Sequence, residues 1–397
     1  MNHNSYHHIG SYSVAQDLMA QAELIQTNSR LSEVMELAAT YKHVAFDLES
    51  NGFHRYPERI CLIQIGLPES IYLLDPLSIS DMKPLGKLLA DSDVEIVVHS
   101  GDYDVRSLDR DWGFRINRLF DTSIAAAFCG SDRLGLGSIV KEYLDIELDK
   151  SKHFQRADWT IRPLSAELKL YASTDVAHLV SLRELFVDQL DELSRLKWVM
   201  EECARLSNVV YRAPDANWAF LSVKGSRTLD SQSLAVLRSL YVFREEQAVL
   251  LDRPPFKVLS DTKLIELAAN PELDLETSRG LGRFAFSPNL QKLRNAIQSG
   301  AHSIPLTRPK VSVDSHLRPN VEERKKIDDR LKRLKAWRVR ESNRLGLHVG
   351  LIWPGVSLER LAKKPDEIRE EMKMPEIRSW QRRQWENSLG DVLDSIF

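Results

Sequence analysis

Strand-forming segments are confined to the first half of this 397-residue chain, and only helical patterns follow them. Runs rich in β-branched and aromatic residues, typical of strands, occupy 43–49, 59–65, 70–75 and 94–99. From residue 207 onward, apolar residues recur at helical spacing instead. A chain of this length is too long for one ordinary domain. The sequence therefore predicts an α/β domain followed by smaller all-α domains.

The connections between the strand segments indicate how the strands pair. The first three segments follow one another through short turns, which is typical of an antiparallel meander. A helix at 81–89 precedes the fourth segment, and this order favours a parallel crossover. Further helices are predicted at 103–111, 123–128, 137–144 and, as one long helix, 165–193. We therefore expect residues 1–206 to form one domain with a mixed sheet and flanking helices.

The helical half of the chain repeats itself at a fixed offset. Five positions of one segment match five positions of another 94 residues later: Phe243, Arg244, Leu264, Leu267 and Ala268 match Trp337, Arg338, Leu358, Leu361 and Ala362. A shared offset that includes an aromatic-Arg pair favours two copies of one domain. The predicted copies span 207–300 and 321–397, with a proline-containing linker at 301–320.

The composition excludes several classes of protein and favours one cellular environment. No apolar run approaches the roughly eighteen residues that a membrane span needs. Three widely spaced cysteines, an odd number, argue against a disulfide framework and for the reducing cytoplasm. The net charge is −3, yet residues 308–397 carry 21 basic and 15 acidic side chains, a balance of +6. A basic tail behind an acidic front suits phosphate binding, although a solvated helical surface gives the same balance.

Two acidic residues lie two positions apart on the first predicted strand. Asp47 and Glu49 point to the same face of that strand, flanked by the apolar Phe46 and Leu48. Like charges this close repel each other, and a shared cation is the simplest compensation. Taken alone, an Asp-x-Glu pair on a strand is common and is more often structural.

Further acids occur where other elements meet the sheet. A strand ends and a helix begins at His99-Ser-Gly-Asp-Tyr-Asp104, where Asp102 suits an N-cap and Asp104 can turn toward the sheet. On the long helix, Tyr171 and Asp175 share one face because they are four residues apart. Together with Asp47 and Glu49, these residues supply four carboxylates and a phenol. Oxygen-only ligation selects Mg²⁺ or Mn²⁺, and two such ions flanking a phosphate can activate water.

These motifs carry a resemblance to a known family. Phe46-Asp-Leu-Glu49, His99-Ser-Gly-Asp-Tyr-Asp104 and Tyr171-Ala-Ser-Thr-Asp175 resemble, in order and context, those of the ribonuclease D family in the tyrosine branch of the DEDD exonucleases. The resemblance implies an RNase H-like exonuclease fold. It also implies a site in which Asp47, Glu49, Asp104 and Asp175 hold two divalent metals and Tyr171 orients the attacking water. A further acid, Asp121, matches the family and is interpreted as supporting structure.

The two repeats resemble HRDC domains, which are small helical bundles that follow the catalytic domain in ribonuclease D. The resemblance implies a partner, RNA with a free 3′ end, with tRNA precursors as the expected substrate class. We expect a cytoplasmic monomer with no membrane partner. Five cations are predicted to bind RNA: Lys150, Arg156, Lys325, Arg330 and Arg333. The tryptophans of the second repeat favour core packing over base stacking, since aromatic side chains dominate buried area.

Two other functions remain open on the sequence. A DNA 3′–5′ exonuclease uses the same chemistry, and the contacts to the ribose 2′-OH that separate RNA from DNA are not visible in the motifs. A catalytically idle RNA-binding scaffold is the second alternative. Degenerate nucleases usually lose an acidic ligand, whereas all four acids are present here.

Overall fold

The computed structural model describes residues 19, 21–148, 152–309 and 320–394. The predicted RNA contact Lys150 and half of the predicted linker, residues 310–319, lie outside these residues. Within the described part of the chain, no helix has both the length and the apolar character needed to cross a membrane.

The first unit is built on one mixed sheet of six strands in the order β1-β4-β3-β2-β5-β6. The strands are β1 (Glu23–Ile25), β2 (His43–Ser50), β3 (Ile60–Leu67), β4 (Ser70–Leu74), β5 (Glu95–Val98) and β6 (Leu119–Asp121). The predicted antiparallel meander is confirmed, because β3 pairs antiparallel with both β2 and β4. The parallel crossover is also confirmed, since β5 lies parallel to β2. β1 and β6 were not predicted as strands, because three residues carry too little alternation to indicate one.

Helices flank this sheet. They are α1 (Asn28–Ala38), α2 (Lys83–Ala90), α3 (Asp102–Trp112), α4 (Thr122–Cys129), α5 (Leu136–Leu144), α6 (Lys152–Gln155), α7 (Ala166–Val176), α8 (Leu179–Glu192) and α9 (Leu196–Ser207). The single long helix predicted at 165–193 is wrong, because α7 and α8 are separated at Ala177 and His178. Neither residue is Gly or Pro, so no helix breaker marks the separation.

Tertiary packing accounts for the separation of these two helices. α7 lies over β2, β3 and β4, whereas α8 packs against α4. The helix approaches β3 closely at Gly66, where an added Cβ would lie 3.1 Å from the Cβ and the carbonyl oxygen of Val176. The sheet therefore positions α7, and with it Tyr171 and Asp175, directly above β2 and β3.

Two helical bundles follow. The first contains α10 (Ser231–Leu251), α11 (Pro255–Val258), α12 (Asp261–Ala269) and α13 (Asn289–Ala301). The second contains α14 (Val321–Leu345), α15 (Val349–Ile352), α16 (Gly355–Lys363), α17 (Ile368–Glu371) and α18 (Ser379–Asp394). The HRDC-like repeat is visible in its contacts. Arg244 donates to the carbonyl of Leu259 at 3.3 Å, and Arg338 donates to the carbonyl of Trp353 at 3.1 Å, 94 residues later. The predicted domain limits themselves stay predictions.

Among the residues that the structure describes, the buried apolar side chains form two cores rather than three. One core runs without interruption from the sheet into the second bundle, and the other belongs to the first bundle. Four tryptophans of the second bundle are almost fully buried in the shared core, as expected for packing rather than base stacking: Trp337, Trp353, Trp380 and Trp385.

Candidate active site

β2 presents the first two acids of the site. Asp47 and Glu49 are half-buried and leave the same face of the sheet. Asp47 lies opposite Gln64 of β3, and the register between the two strands shifts just after Glu49. Because β2 is held between β3 and β5, the two carboxylates project from a rigid central strand.

The structure separates the two acids at the start of α3. Asp104 is only 5% exposed and turns inward, whereas the side chain of Asp102 is 60% exposed. Asp102 pairs with Arg106 at 2.8 Å on the helix surface. Asp104 is therefore the member of the pair that faces the sheet, as predicted from its place in the first turn.

Asp121 organises the turn that carries Asp104. It caps α4 by accepting from the Ser123 amide at 2.8 Å. The same carboxylate also accepts from the backbone amides of Ser100 at 3.1 Å and Gly101 at 2.9 Å. Ser100 has a φ of 60°, a left-handed conformation that these bonds hold in place. Asp121 thus has the supporting role that the sequence indicated.

α7 brings the phenol and the fourth acid to the same place. Tyr171 and Asp175 are 7% and 8% exposed, on the side of α7 that faces the sheet. The ring of Tyr171 lies 5.3 Å from that of Phe154 and 6.3 Å from that of Trp159. The side chain of Gln155 hydrogen-bonds the tyrosine hydroxyl. Tyr171 is therefore fixed in both ring position and hydroxyl direction.

A buried ion pair anchors the segment that carries Trp159. Arg162 donates to both carboxylate oxygens of Asp75, at 2.8 and 2.7 Å, and to the carbonyl of Cys61 at 2.9 Å. Burial opposes ionisation of Asp75, but the hydrogen bonds from Arg162 and Gln26 outweigh it and hold the pKa of Asp75 below its ordinary value. The loop behind Tyr171 is thereby tied to the sheet.

The charges of the site residues affect one another, so these residues share one electrostatic environment. Burial raises the pKa of Tyr171, and the charges of Asp175, Glu49 and Asp47 raise it further. Burial likewise raises the pKa of Asp104 to about 7; Asp121 and Asp175 add to the rise, while a hydrogen bond with Asp47 opposes it. The elements therefore bring together all five residues predicted from the motifs.

The donor set suits a hard divalent cation, since it is made of oxygen ligands with excess negative charge. Within the described residues, no three acids are already closed around one point as a metal-binding group. Gln64, opposite Asp47, is fully buried and neither amide atom has a hydrogen-bond partner. A buried amide of this kind is expected near a site that gains further polar groups on binding.

A surface cleft of about 380 Å³ opens beside Glu49. Phe53 and Tyr103 of the exonuclease domain line it, and so does Phe256 of the first bundle. Tyr103 hydrogen-bonds Ser50 and Glu58 at its edge. Sequence reasoning missed Phe256, because no motif joins residues so far apart in the chain.

The predicted RNA-binding cations lie in different settings. Arg156 is exposed, and its carbonyl accepts a hydrogen bond from His54 at 2.7 Å. Lys325 and Arg333 are exposed on α14. Arg330 is only 9% exposed and pairs with Glu323 at 3.0 Å, which suits an ion pair of the bundle better than a phosphate contact. Whether any of them contacts RNA stays a prediction.

Comparisons with known proteins agree with this site. A family described as 3′–5′ exonuclease matches residues 22–191. Ribonuclease D of Desulfotalea psychrophila is 34% identical over 254 residues, which cover 63% of this chain and 67% of that protein. Ribonuclease D of Pseudomonas paraeruginosa is 29% identical over 392 residues, 94% of this chain and 98% of that protein.

Solved structures extend the likeness to the whole fold. The structure of Escherichia coli RNase D, described as an exoribonuclease involved in structured RNA processing, has a TM-score of 0.68 at 22% identity. It covers 94% of this chain and 99% of that one. The catalytic core of RRP6 from Trypanosoma brucei has a TM-score of 0.61 at 26% identity and covers 70% of this chain and 79% of that one. Enzymes of the DEDD exonuclease fold generally depend on divalent metals, and neither the DNA exonuclease nor the idle scaffold is favoured. The chain belongs to the ribonuclease D family and is a 3′–5′ exoribonuclease.

Proposed function

We propose that this exoribonuclease trims the 3′ ends of structured RNAs, tRNA precursors among them, and releases 5′-mononucleotides. The observation that carries the proposal is the shared environment of Asp47, Glu49, Asp104, Asp175 and Tyr171 beside an open cleft. The site is accessible from the surface, as a polymer end requires. The Escherichia coli relative supports the choice of structured RNA, because that protein is described as acting in structured RNA processing.

The four carboxylates are the proposed ligands of two Mg²⁺ or Mn²⁺ ions. Such ions, when bound, polarise the scissile phosphate and lower the pKa of a bound water. The protein's own contribution is to hold mutually repelling acids on rigid elements. β2 supplies Asp47 and Glu49, the first turn of α3 supplies Asp104, and α7 supplies Asp175. Burial, together with the charges of Asp121 and Asp175, raises the pKa of Asp104, and a bound cation would favour its ionised form.

Tyr171 is the proposed orienting group for the attacking water. A tyrosine hydroxyl is protonated at neutral pH and can donate a hydrogen bond, and the raised pKa of Tyr171 extends this protonation to alkaline pH. Gln155 contacts the same hydroxyl, and Phe154 and Trp159 restrain the ring. A restrained donor fixes the direction from which water approaches the phosphorus.

The setting of the enzyme is also proposed. Cys61, Cys129 and Cys203 are all unpaired, which suits a reducing cytoplasm. We further propose a monomer, because the residues of the proposed site and of the cleft beside it all come from one chain. Sedimentation at several concentrations tests the oligomeric state.

Substitution of the acids tests the proposal. We expect Asp47→Ala and Asp175→Asn to lower the trimming rate of a 5′-labelled RNA by about 10³-fold or more, because each removes a metal ligand. We expect Tyr171→Phe to lower it by about 10²-fold. Thermal unfolding should show all three variants folded, since removing one member of a repelling cluster does not destabilise it.

Asp102→Asn is the matched control for these substitutions. It removes a carboxylate from the same turn as Asp104, but Asp102 is exposed and pairs with Arg106. We expect its rate to match that of the wild type. Trimming at the wild-type rate by Asp175→Asn would exclude the proposed ligand set. Calorimetric titration with Mn²⁺ gives a second readout, in which Asp175→Asn weakens binding and Asp102→Asn does not.

A further inference from the structure

Two exposed phenylalanines face the same cleft from different domains. Phe53 is 54% exposed and follows β2, whereas Phe256 is 53% exposed and lies in α11 of the first bundle. Both line the cleft that contains Glu49. Exposed aromatic side chains that cluster at a cleft often mark a binding surface, whereas single exposed aromatic residues usually do not. Because the two phenylalanines lie beside a proposed metal ligand, we expect the cleft between them to bind part of the substrate.

Each phenylalanine is presented by a rigid segment. The turn that carries Phe53 is closed by hydrogen bonds from His54 and Arg55 to the carbonyl of Asn51, at 2.7 and 2.9 Å. Asn51 is 2% exposed and its side chain accepts from the Arg59 amide at 2.8 Å. Phe256 directly follows Pro254 and Pro255, whose fixed φ angles restrict the backbone before it.

The first bundle is fastened to the exonuclease domain next to these rings. Asp252 accepts from the Arg55 side chain at 3.1 Å and from the Tyr56 amide at 3.2 Å. The Tyr56 hydroxyl donates to Glu245 at 2.5 Å. Arg55, Tyr56 and Asp252 lie two to four residues from Phe53 or Phe256. The docking of the bundle thus sets the spacing between the two phenylalanines.

The side chains that line the cleft indicate which kind of ligand it can bind. Among the described residues that line the cleft, none is Lys or Arg, while Glu49 and Glu58 are acidic. Such a lining offers no cationic side chain to the RNA backbone, whereas its aromatic faces favour a flat, uncharged ring. Nucleobases meet this requirement, since every base has a π-face that stacks on an aromatic side chain. A volume of about 380 Å³ is within the range of small-ligand sites.

We infer that Phe53 and Phe256 form an aromatic clamp that stacks on unpaired bases at the 3′ end of the RNA. The inference rests on the proposed function, because it needs the scissile phosphate at Glu49. The clamp selects single-stranded ends, since a paired base does not offer its faces to side chains. It is tolerant of base identity, because stacking does not read hydrogen-bonding edges. The first bundle thereby contributes directly to substrate binding.

Binding measured in EDTA, without cleavage, tests the clamp. Fluorescence anisotropy with a 5′-fluorescein single-stranded RNA gives the Kd of the wild type, Phe256→Ala and Phe256→Trp. We expect Phe256→Ala to bind roughly tenfold or more weakly, the size of one lost base stack. Phe256→Trp keeps an aromatic face and should bind within about twofold of the wild type. Circular dichroism should show both variants folded, because Phe256 is exposed.

Phe286→Ala is the matched control, since Phe286 is a 72% exposed phenylalanine of the same bundle that does not line the cleft. We expect its Kd to be unchanged. An RNA whose last three nucleotides lack bases should bind the wild type weakly, and Phe256→Ala should weaken it no further. An unchanged Kd for Phe256→Ala, or an equal loss on the abasic RNA, overturns the clamp.

The two proposals fail in different ways. If the wild type trims RNA in the presence of Mn²⁺ but Phe256→Ala binds like the wild type, only the clamp is wrong. If the wild type trims no RNA at all, the proposed function is wrong. We also expect Phe256→Ala to raise KM and leave kcat within about twofold, because Phe256 binds substrate without contacting the reacting phosphate.

Discussion

The two helical bundles share one repeat but contact the exonuclease domain in different ways. The first bundle keeps its own core and is joined to the site rim by polar contacts at Asp252 and Glu245. The second bundle continues the core of the sheet domain. There, Trp380 stacks on Trp198 at 4.8 Å and lies edge-on to Phe128 at 5.3 Å. The polar interface of the first bundle suits a domain that faces the substrate. The apolar interface of the second bundle suits a domain that stabilises the fold.

Two adjacent acids of α9 complete the second interface. Glu201 accepts from the Ser379 amide at 2.5 Å, at the start of α18. Glu202 accepts from the indole of Trp380 and the guanidinium of Arg378, both at 2.9 Å. Carboxylates at a helix N-terminus also interact favourably with its dipole. The interface therefore combines aromatic packing with satisfied charges. The two bundles share one fold, so their different roles depend on the residues with which each bundle contacts the exonuclease domain.

The largest effect is expected from Trp380→Ala. Removing a fully buried tryptophan costs about 3–5 kcal/mol in the free energy of unfolding. Because the core is shared, the sheet domain and the second bundle should lose stability together. Urea denaturation of the full chain measures the change. Trp218→Ala is the control, since Trp218 is 37% exposed and should cost about 1 kcal/mol or less. A loss below 1 kcal/mol for Trp380→Ala would contradict a shared core.

A second large effect is expected when the buried ion pair of the sheet domain is broken. Arg162→Ala leaves Asp75 buried without its partner and should cost about 3 kcal/mol at neutral pH. Hydrogen exchange should show lower protection in the sheet and in α18, and unchanged protection in α10 and α13. Lower protection in the first bundle as well would mean that all three units unfold as one.

The pH dependence of this loss has a definite sign. The folded-state pKa of Asp75 lies below its ordinary value, so its ionisation stabilises the fold above that ordinary value. The stabilisation is lost as pH falls through the lower, folded-state pKa. The difference between wild type and Arg162→Ala should therefore shrink on acidification below about pH 4. A difference independent of pH would exclude Asp75 as the cause.

A smaller effect is expected from Arg378→Ala at the second interface. It removes charge-assisted hydrogen bonds to Glu202 and should cost about 1.5–3 kcal/mol. Arg383→Ala is the control, since Arg383 is 67% exposed and lies 3.6 Å from Glu201. Its cost should stay within about 0.5 kcal/mol. Equal losses for the two variants would indicate that general charge, rather than the Glu202 contact, stabilises the interface.

The smallest effects are expected at the first interface. Asp252→Asn removes an exposed ion pair with Arg55 and should cost less than about 1 kcal/mol. Its effect on RNA affinity should be larger than its effect on stability, because Asp252 sets the position of the clamp. Thermal unfolding and anisotropy on the same samples compare the two. A loss of stability above 3 kcal/mol for Asp252→Asn would mean that the first interface, like the second, stabilises the fold.

Most of the site could be predicted because its residues lie in local motifs. The strand-by-strand meander followed from spacing. The choice of Asp104 over Asp102 followed from the family resemblance, with which its helix position agrees. The break between α7 and α8 could not, because Ala177 and His178 carry no breaker signal. β6 was missed for its length, although Asp121 was recognised within it.

The contacts between the exonuclease domain and the two bundles could not be predicted from the sequence patterns. Nothing near Glu201 indicates that it caps a helix that begins at Ser379, since their meeting depends on tertiary packing. The proximity of Phe53 and Phe256 likewise arises from the docking of one domain on another. Local patterns predict elements and motifs, whereas contacts between distant segments require the folded chain.

The proposed 3′–5′ trimming of RNA is tested by a single cleavage assay. A tRNA with a 3′ extension and a 5′ label is incubated with the enzyme and Mg²⁺ or Mn²⁺, with and without EDTA, beside a DNA oligonucleotide matched to the extension. We predict a descending ladder on the RNA that EDTA abolishes, with slower loss of the DNA. An intact RNA in the presence of either metal, with the DNA degraded or intact, would contradict the account.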